Sequence, residues 1–293
     1  MRTIGFVGIG RMGWPMATRL VQAGFEVVVC DAQPGRADAF ASEVGGRSAP
    51  GAREAAIGAD VLVTMLPTSD HVTEALGDVG TAWSTAVVVV EMSSGVPGVT
   101  RALAAELRER GVVLVDCPVS GGVAKAKTGQ LSILAGGDAD ALARVAPVLD
   151  AMGSSVHHCG PVGAGQAMKA LNNLVSAGGF LIGVEALLIG QRFGLAPERM
   201  VEVLNASSGM NNSTQNKFAQ FVLSRSFDSG FGLDLMAKDL GIAADIARDG
   251  GVVTPFAALC AQLWASAAHV LGPGCDHTEM ARFSEALTAQ EIS

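Results

Sequence analysis

The stretch TIGFVGIGRMGWPMATRL, residues 3–20, constrains this chain more than any other. An apolar, β-rich run passes into Gly8, Gly10 and Gly13, in GxGxxG spacing, and then into a segment with helical periodicity. Each glycine has its own task in such a strand–turn–helix unit. Gly8 permits the tight turn, Gly10 lets backbone approach a pyrophosphate, and Gly13 lets the helix pack close to the strand. The helix N-terminus then offers N–H groups and the positive end of its dipole to phosphates. Gly8, Gly10, Arg11, Met12 and Gly13 are therefore the expected cofactor-binding turn of a dinucleotide fold.

The same alternation continues for half the chain. Candidate strands cover 3–9, 26–30, 60–66, 86–92, 112–116, 131–136 and 156–159. Several are almost unbroken valine, leucine or isoleucine, as in parallel strands covered on both faces. Between them, MATRLVQAG and VTRALAAELRERG have helical spacing and stop at glycine. Repeated β-α units specify an α/β Rossmann fold, a doubly wound parallel sheet. After residue 162 the strand runs end. Residues 163–194 read as one long helix, and further helical segments begin at 197, 213, 233, 256 and 277. The expected organisation is a Rossmann domain over 1–162 and an all-α domain over 163–293, joined by the long helix. A chain of 293 residues, 49% apolar and 16% charged, has enough interior for two such cores.

Asp31 closes the second strand, 18 positions after Gly13. A carboxylate there accepts hydrogen bonds from a ribose 2′-hydroxyl and repels a 2′-phosphate, which favours NAD over NADP. Capping the local turn is the alternative use of Asp31, and Arg36 leaves some use of NADP open. The next strand ends read MLPTSD and EMSSG. Ligands of open α/β sheets bind at the carboxyl ends of the strands. Met65, Leu66, Pro67 and Thr68 are thus expected beside the cofactor ribose and nicotinamide, with Ser93 and Ser94 in the following loop.

A net charge of −8 argues against a nucleic-acid or anionic-membrane surface. The cysteines, Cys30, Cys117, Cys159, Cys260 and Cys275, are scattered, with neither CxxC pairing nor metal spacing. They point to a reducing, cytoplasmic compartment. The chain opens on a strand, not on a signal peptide. The run 174–190 contains Glu185 and several glycines, and reads as a buried helix instead of a membrane span. His71 and His277 read as surface or turn residues, and His157 and His158 end a strand with no acidic cluster beside them, so neither a metal site nor a Ser-His-Asp nucleophile is expected.

The strand at 112–116 leads into DCPVSGGVAKAKTGQLSILAGG, residues 116–137. Together with GFVGIGRMGWPMA, MLP, EMSS, GAGQAMKALNN and LMAKDL, in that order over nearly the whole chain, it resembles the β-hydroxyacid dehydrogenase family. The 3-hydroxyisobutyrate dehydrogenases are the best-known members, with tartronate semialdehyde reductase a near relative. The resemblance implies that Ser120, Gly121 and Gly122 bind substrate, and that Lys169 is catalytic with Asn173 as its polar partner. It further implies that Lys238 belongs to the closure of the site over cofactor and substrate, and that Phe231 packs over the nicotinamide region.

Elementary chemistry agrees with these roles. Ser120 supplies a hydroxyl, and glycines leave backbone N–H groups unobstructed for a carboxylate. Oxidising an alcohol removes a hydride from carbon, which NAD accepts, and a proton from the hydroxyl. An ordinary lysine, with a pKa of about 10.4, is a poor base at neutral pH. Desolvation or a neighbouring cation makes it a useful one. Asn173 stands at i+4 from Lys169 and so shares its helix face; being neutral, it orients without raising the lysine's proton affinity. Asn172, at i+3, is left for local bonds.

Three features depart from the family's pattern. Lys125 stands where glycine is usual, with Lys127 beside it; this resembles the threonate dehydrogenase branch and suggests a more polar substrate, unless the lysines face solvent. Ser94 stands where threonine is common and keeps the hydroxyl. In NASSGMNNSTQNKF (205–218), Ser208, Gly209, Asn211 and Asn212 either line a pocket or form a loop and N-cap. The leading reading is an NAD-dependent dehydrogenase for a small, 3-hydroxyisobutyrate-like hydroxyacid. The alternatives are a dehydrogenase for a polar sugar acid, such as threonate or glycerate, and a non-catalytic NAD-binding module. Lys169 speaks against an imine-reductase-like protein, and the size of the helical half against a 6-phosphogluconate dehydrogenase. The apolar helix and small second domain leave surface to bury, so self-association is expected, and the resemblance implies a homodimer or homotetramer.

Overall fold

The computed structural model describes residues 2–84 and 87–293. Met1, Thr85 and Ala86, the last being the first residue of the expected 86–92 strand, lie outside the described residues. The chain divides into two compact units, Met1–Lys169 and Ala170–Ser293.

The first unit begins with β1 (Thr3–Val7), α1 (Gly13–Gln22), β2 (Glu26–Cys30), α2 (Arg36–Glu43), β3 (Arg47–Ser48) and α3 (Ala52–Ala56). It continues with β4 (Val61–Thr64), α4 (Ser69–Val79), β5 (Val88–Glu91), α5 (Pro97–Glu109) and β6 (Val113–Asp116). After these come β7 (Val119–Ser120), α6 (Gly122–Thr128), β8 (Leu131–Gly136), α7 (Ala139–Met152) and β9 (Gly153–Gly160). The sheet order is β3-β2-β1-β4-β5-β6-β8-β7, with β9 on β8. Strand order reverses between β1 and β4, the switch point where ligands of such sheets bind.

Side chains alternate along the strands. Phe6, Val29, Val63 and Val90 enter one core, and Val28, Leu62, Val89 and Leu114 enter the other. Each full burial contributes about 1.5–3 kcal/mol, so the two helix layers are held by the valine-rich runs themselves. β1 stops at Val7 because Gly8, at φ +91°, turns the chain. The sheet is parallel through β6, but β8 is antiparallel to both β6 and β7. β7 continues the line of β6 along β8, and the chain returns through α6 to pair with both in the opposite direction.

Asp116, at the end of β6, fixes the start of the long helix α8 (Ala164–Phe193). Its carboxylate accepts from Gly163 N at 2.7 Å and from Gln166 N at 2.9 Å. These are the two N–H groups a capping box would satisfy; Gly163 has no side chain, so Asp116 does it from the sheet. A Cβ on Gly165 would lie 2.3 Å from the Leu134 carbonyl oxygen. Glycine alone lets the first turn come this close.

The second unit is helical. The remainder of α8 is followed by α9 (Pro197–Asn205), α10 (Asn212–Asn216), α11 (Leu233–Asp249), α12 (Pro255–Leu271) and α13 (Met280–Thr288). Phe180, Val184, Leu187, Phe218, Trp264 and Met280 form its core. The segment beginning at 213 is not one helix. α10 ends at Lys217, whose φ of −133° leaves the helical region, and a π-helical turn, Phe218–Leu223, follows. Asn211 is the N-cap of α10, accepting from Ser213 N at 2.7 Å and Thr214 N at 3.2 Å. That settles its part of the 205–218 stretch as a cap.

Candidate active site

The glycine turn joins β1 to α1. A Cβ on Gly8 would lie 2.5 Å from the Met65 carbonyl oxygen, and one on Gly13 only 1.9 Å from the Gly8 carbonyl oxygen. Gly10 is different: a Cβ there would meet only Arg36 Nη1, at 3.9 Å. Its open side is the face a pyrophosphate needs. Met12, the N-cap of α1, makes no side-chain cap hydrogen bond, and the first turn holds no acidic residue. The N-terminal N–H groups and dipole thus face outward without a protein anion, and these residues suit a dinucleotide.

Asp31 serves the turn itself. Its carboxylate accepts from Ile9 N at 2.9 Å and Gln33 N at 2.8 Å, and Arg36 Nη1 stands 3.5 Å away. Each carboxylate oxygen keeps a second lone pair, so turn anchoring and ribose recognition are compatible uses of one side chain. Met65, Leu66 and Pro67 follow β4 at the switch point. Thr68, next in the chain, is the N-cap of α4 and accepts from His71 N. Ser93 is also structural. It is fully buried, and its Oγ accepts from Leu66 N at 2.8 Å. Ser94 is partly exposed in the loop after β5.

Ser120, Gly121 and Gly122 form a strand end and a helix start, not a free loop. Ser120 closes β7, opposite Ser132. Gly121 has φ +129°, a conformation that favours glycine. A Cβ on Gly121 would lie 2.6 Å from Lys125 Cδ. The stem of Lys125 therefore lies against Gly121, while the residue as a whole is exposed on α6, as is Lys127.

Lys169 lies in the second turn of α8 and is 8% exposed. In the second unit, Asn173 is buried four positions further along the same helix, and its Nδ2 donates to Asp239 Oδ2 at 2.6 Å. Asn172 bonds locally, donating to Asn173 Oδ1 at 3.1 Å. Lys238 Nζ stands 3.4 Å from Asp239 Oδ1. Phe231 is held by its backbone: its N–H donates to Asp276 Oδ2 at 3.2 Å, and its carbonyl accepts from His277 N at 2.8 Å. Asp239 was not singled out from sequence, although it sits in the quoted LMAKDL motif. Gln166 was missed too, its position in GAGQAMK being the available signal. Among the described residues no group of His, Cys, Asp or Glu could hold a metal.

Residues 3–160 match the family described as the NAD binding domain of 6-phosphogluconate dehydrogenase. Residues 163–284 match the one described as NAD-binding of NADP-dependent 3-hydroxyisobutyrate dehydrogenase. The chain belongs to the β-hydroxyacid dehydrogenase family. It is 38% identical over 273 residues to the NAD-dependent L-serine dehydrogenase of Pseudomonas aeruginosa, covering 90% of this chain and 91% of that one. It is 35% identical to the 2-(hydroxymethyl)glutarate dehydrogenase of Eubacterium barkeri, covering 89% and 87%. The solved 3-hydroxyisobutyrate dehydrogenase of Mycobacterium tuberculosis with L-serine superposes with a TM-score of 0.90 at 32% identity, covering 97% of this chain and 99% of that one. This β-hydroxyacid dehydrogenase is thus an NAD-dependent oxidoreductase acting on a CH–OH group. Streptomyces aurantiacus imine reductase, at 20% identity and a TM-score of 0.65, shares the fold alone.

Proposed function

We propose that the site oxidises the hydroxyl of a small, 3-hydroxyisobutyrate-like β-hydroxycarboxylic acid to the aldehyde or keto acid, with Lys169 as the proton carrier. The observation that carries this is Lys169 itself, 8% exposed, on a helix whose first turn is tied to the sheet by Asp116. NAD, when bound, accepts the hydride. Lys169 in its neutral form takes the hydroxyl proton, and its ammonium returns it in reduction. Asn173, Phe231 and Lys238 keep the roles that the family resemblance implies for them. Ser120 and the N–H groups of Gly121 and Gly122 hold the carboxylate. Serine, 2-(hydroxymethyl)glutarate and 3-hydroxyisobutyrate, named in the relatives, all carry a hydroxymethyl group on the carbon that bears a carboxylate. That shared chemistry defines the substrate class proposed here. NADH formation across 3-hydroxyisobutyrate, L-serine, glycerate and threonate tests it. Lys169→Ala is expected to lose about 10²–10⁴-fold in kcat while still binding NAD; normal turnover would remove Lys169 from the mechanism.

A polar sugar acid such as threonate is the competing substrate, favoured by Lys125, whose stem lies against Gly121. Lys125→Gly decides it: an unchanged preference between 3-hydroxyisobutyrate and threonate removes Lys125 from recognition.

The enzyme is further proposed to self-associate through α8. Val175, Ile182 and Ile189, seven residues apart, are 76%, 55% and 70% exposed, and Phe193 is 83% exposed. Light scattering of Ile182→Asp is expected to show a smaller assembly than the parent. The five unpaired cysteines support a cytoplasmic location.

A further inference from the structure

Gln166 is 1% exposed, and its side-chain amide is fully used. Its Oε1 accepts from Gly95 N at 2.7 Å. Its Nε2 donates to Ser93 O at 3.0 Å and to Glu91 Oε2. Glu91 in turn accepts from Ser93 N at 2.8 Å, and Ser93 Oγ receives Leu66 N at 2.8 Å. One side chain therefore joins the ends of β4 and β5, and the Ser93–Gly95 loop, to the first turn of α8.

Two facts argue that this is more than a stabilising contact. First, Glu91 and Asp116 are register partners on neighbouring strands, both buried. Burying two carboxylates is costly, and an apolar filling of the same shape would serve stability as well or better. Second, Lys169 lies at i+3 from Gln166, on the same helical face. Any displacement of Gln166 carries Lys169 with it, and a misplacement of about 1 Å costs on the order of 10²-fold in rate.

We propose that Gln166 is a positioning residue: its amide, clamped between Glu91 and the Ser93–Gly95 loop, sets where Lys169 stands relative to the loops that carry Leu66 and Ser94. This rests on Lys169 being the proton carrier. Gln166→Met keeps length and bulk and deletes the three side-chain hydrogen bonds. The expected result is kcat lower by about 30–100-fold, with NAD affinity and the hydroxyacid KM little changed. The primary deuterium isotope effect on kcat should rise, the pH profile should be displaced, and the Gly95 amide should exchange faster with deuterium. Glu91→Met, which keeps bulk and removes the acceptor of the Gln166 amide, should show the same signature. It decides the matter if Gln166→Met does not fold. Turnover close to the parent's overturns the proposal. So does a loss that leaves the isotope effect, pH profile and Gly95 exchange at parental values. Lys169→Ala run in parallel separates the two readings. Normal turnover there removes the proton carrier, whereas an inactive Lys169→Ala beside a normal Gln166→Met removes only the role of Gln166.

Discussion

Asn173 donates to Asp239 across 2.6 Å, from α8 to α11, with both side chains buried. Asp239 is 1% exposed and also stands 3.4 Å from Lys238 Nζ. A carboxylate taken out of water is tolerable only while such donors surround it. Asp239→Ala strips both groups of that acceptor. The expected cost is about 2–4 kcal/mol in urea unfolding, with a drop in kcat because Asn173 loses its orientation. Lys238→Ala, at a partly exposed position, should cost well under half as much stability.

At the cofactor turn, Asp31 bonds the glycine loop through Ile9 N and its own turn through Gln33 N. Asp31→Ala removes both anchors and the charge opposite Arg36. The expected outcome is an NAD KM about tenfold higher or more, from one or two charge-assisted hydrogen bonds. The ratio of kcat/KM for NADP over NAD should rise, because a carboxylate no longer repels the 2′-phosphate and Arg36 is released. An unchanged ratio would show that Asp31 only shapes the turn.

The Rossmann half was legible because its signals are local. GxGxxG spacing, valine-rich runs and glycine stops each act over a few residues, and the strand at 131–136 falls where its pattern placed it. β3 and β7 escaped because two residues carry no periodicity. The break at Lys217 escaped because its helical pattern runs on through a change of hydrogen-bond register. Motif residues such as Lys169 and Asn173 could be named from the family resemblance. The carboxylates could not. Glu91 and Asp116 read as ordinary strand ends, and only the parallel register that sets them side by side shows them as a buried pair.

Asp276 is a hub of the second unit. It accepts from Gly230 N at 2.8 Å, Phe231 N at 3.2 Å, Ser229 Oγ at 2.7 Å and Thr278 N at 3.0 Å. Burial pushes its carboxyl up, but the hydrogen bonds from His277, Thr278 and Ser229 outweigh this and hold it well below the usual carboxylate range. A lowered acid contributes stability above its unfolded value and loses it as pH falls toward the folded one. Asp276→Asn should therefore be less stable than the parent at neutral pH. The gap between the two should narrow as the pH is lowered below 4, in urea titrations on the order of a pH unit apart.

Glu91 behaves in the opposite sense. Burial first, then the charge of Asp116, raises it from 4.5 to about 7, against hydrogen bonds from Ser93 and Thr64. Between those values the native state holds a proton that the unfolded chain has released. The contribution of Glu91 to stability is therefore fully present below pH 4.5 and is lost as pH rises through about 7. The shift corresponds to about 3 kcal/mol. Glu91→Gln cannot ionise. Its unfolding free energy minus the parent's should climb by about that amount across this window and flatten above it. Urea titrations of both proteins at stepped pH give the difference directly. A difference that stays flat from acid to neutral pH would mean that Glu91 is already ionised throughout.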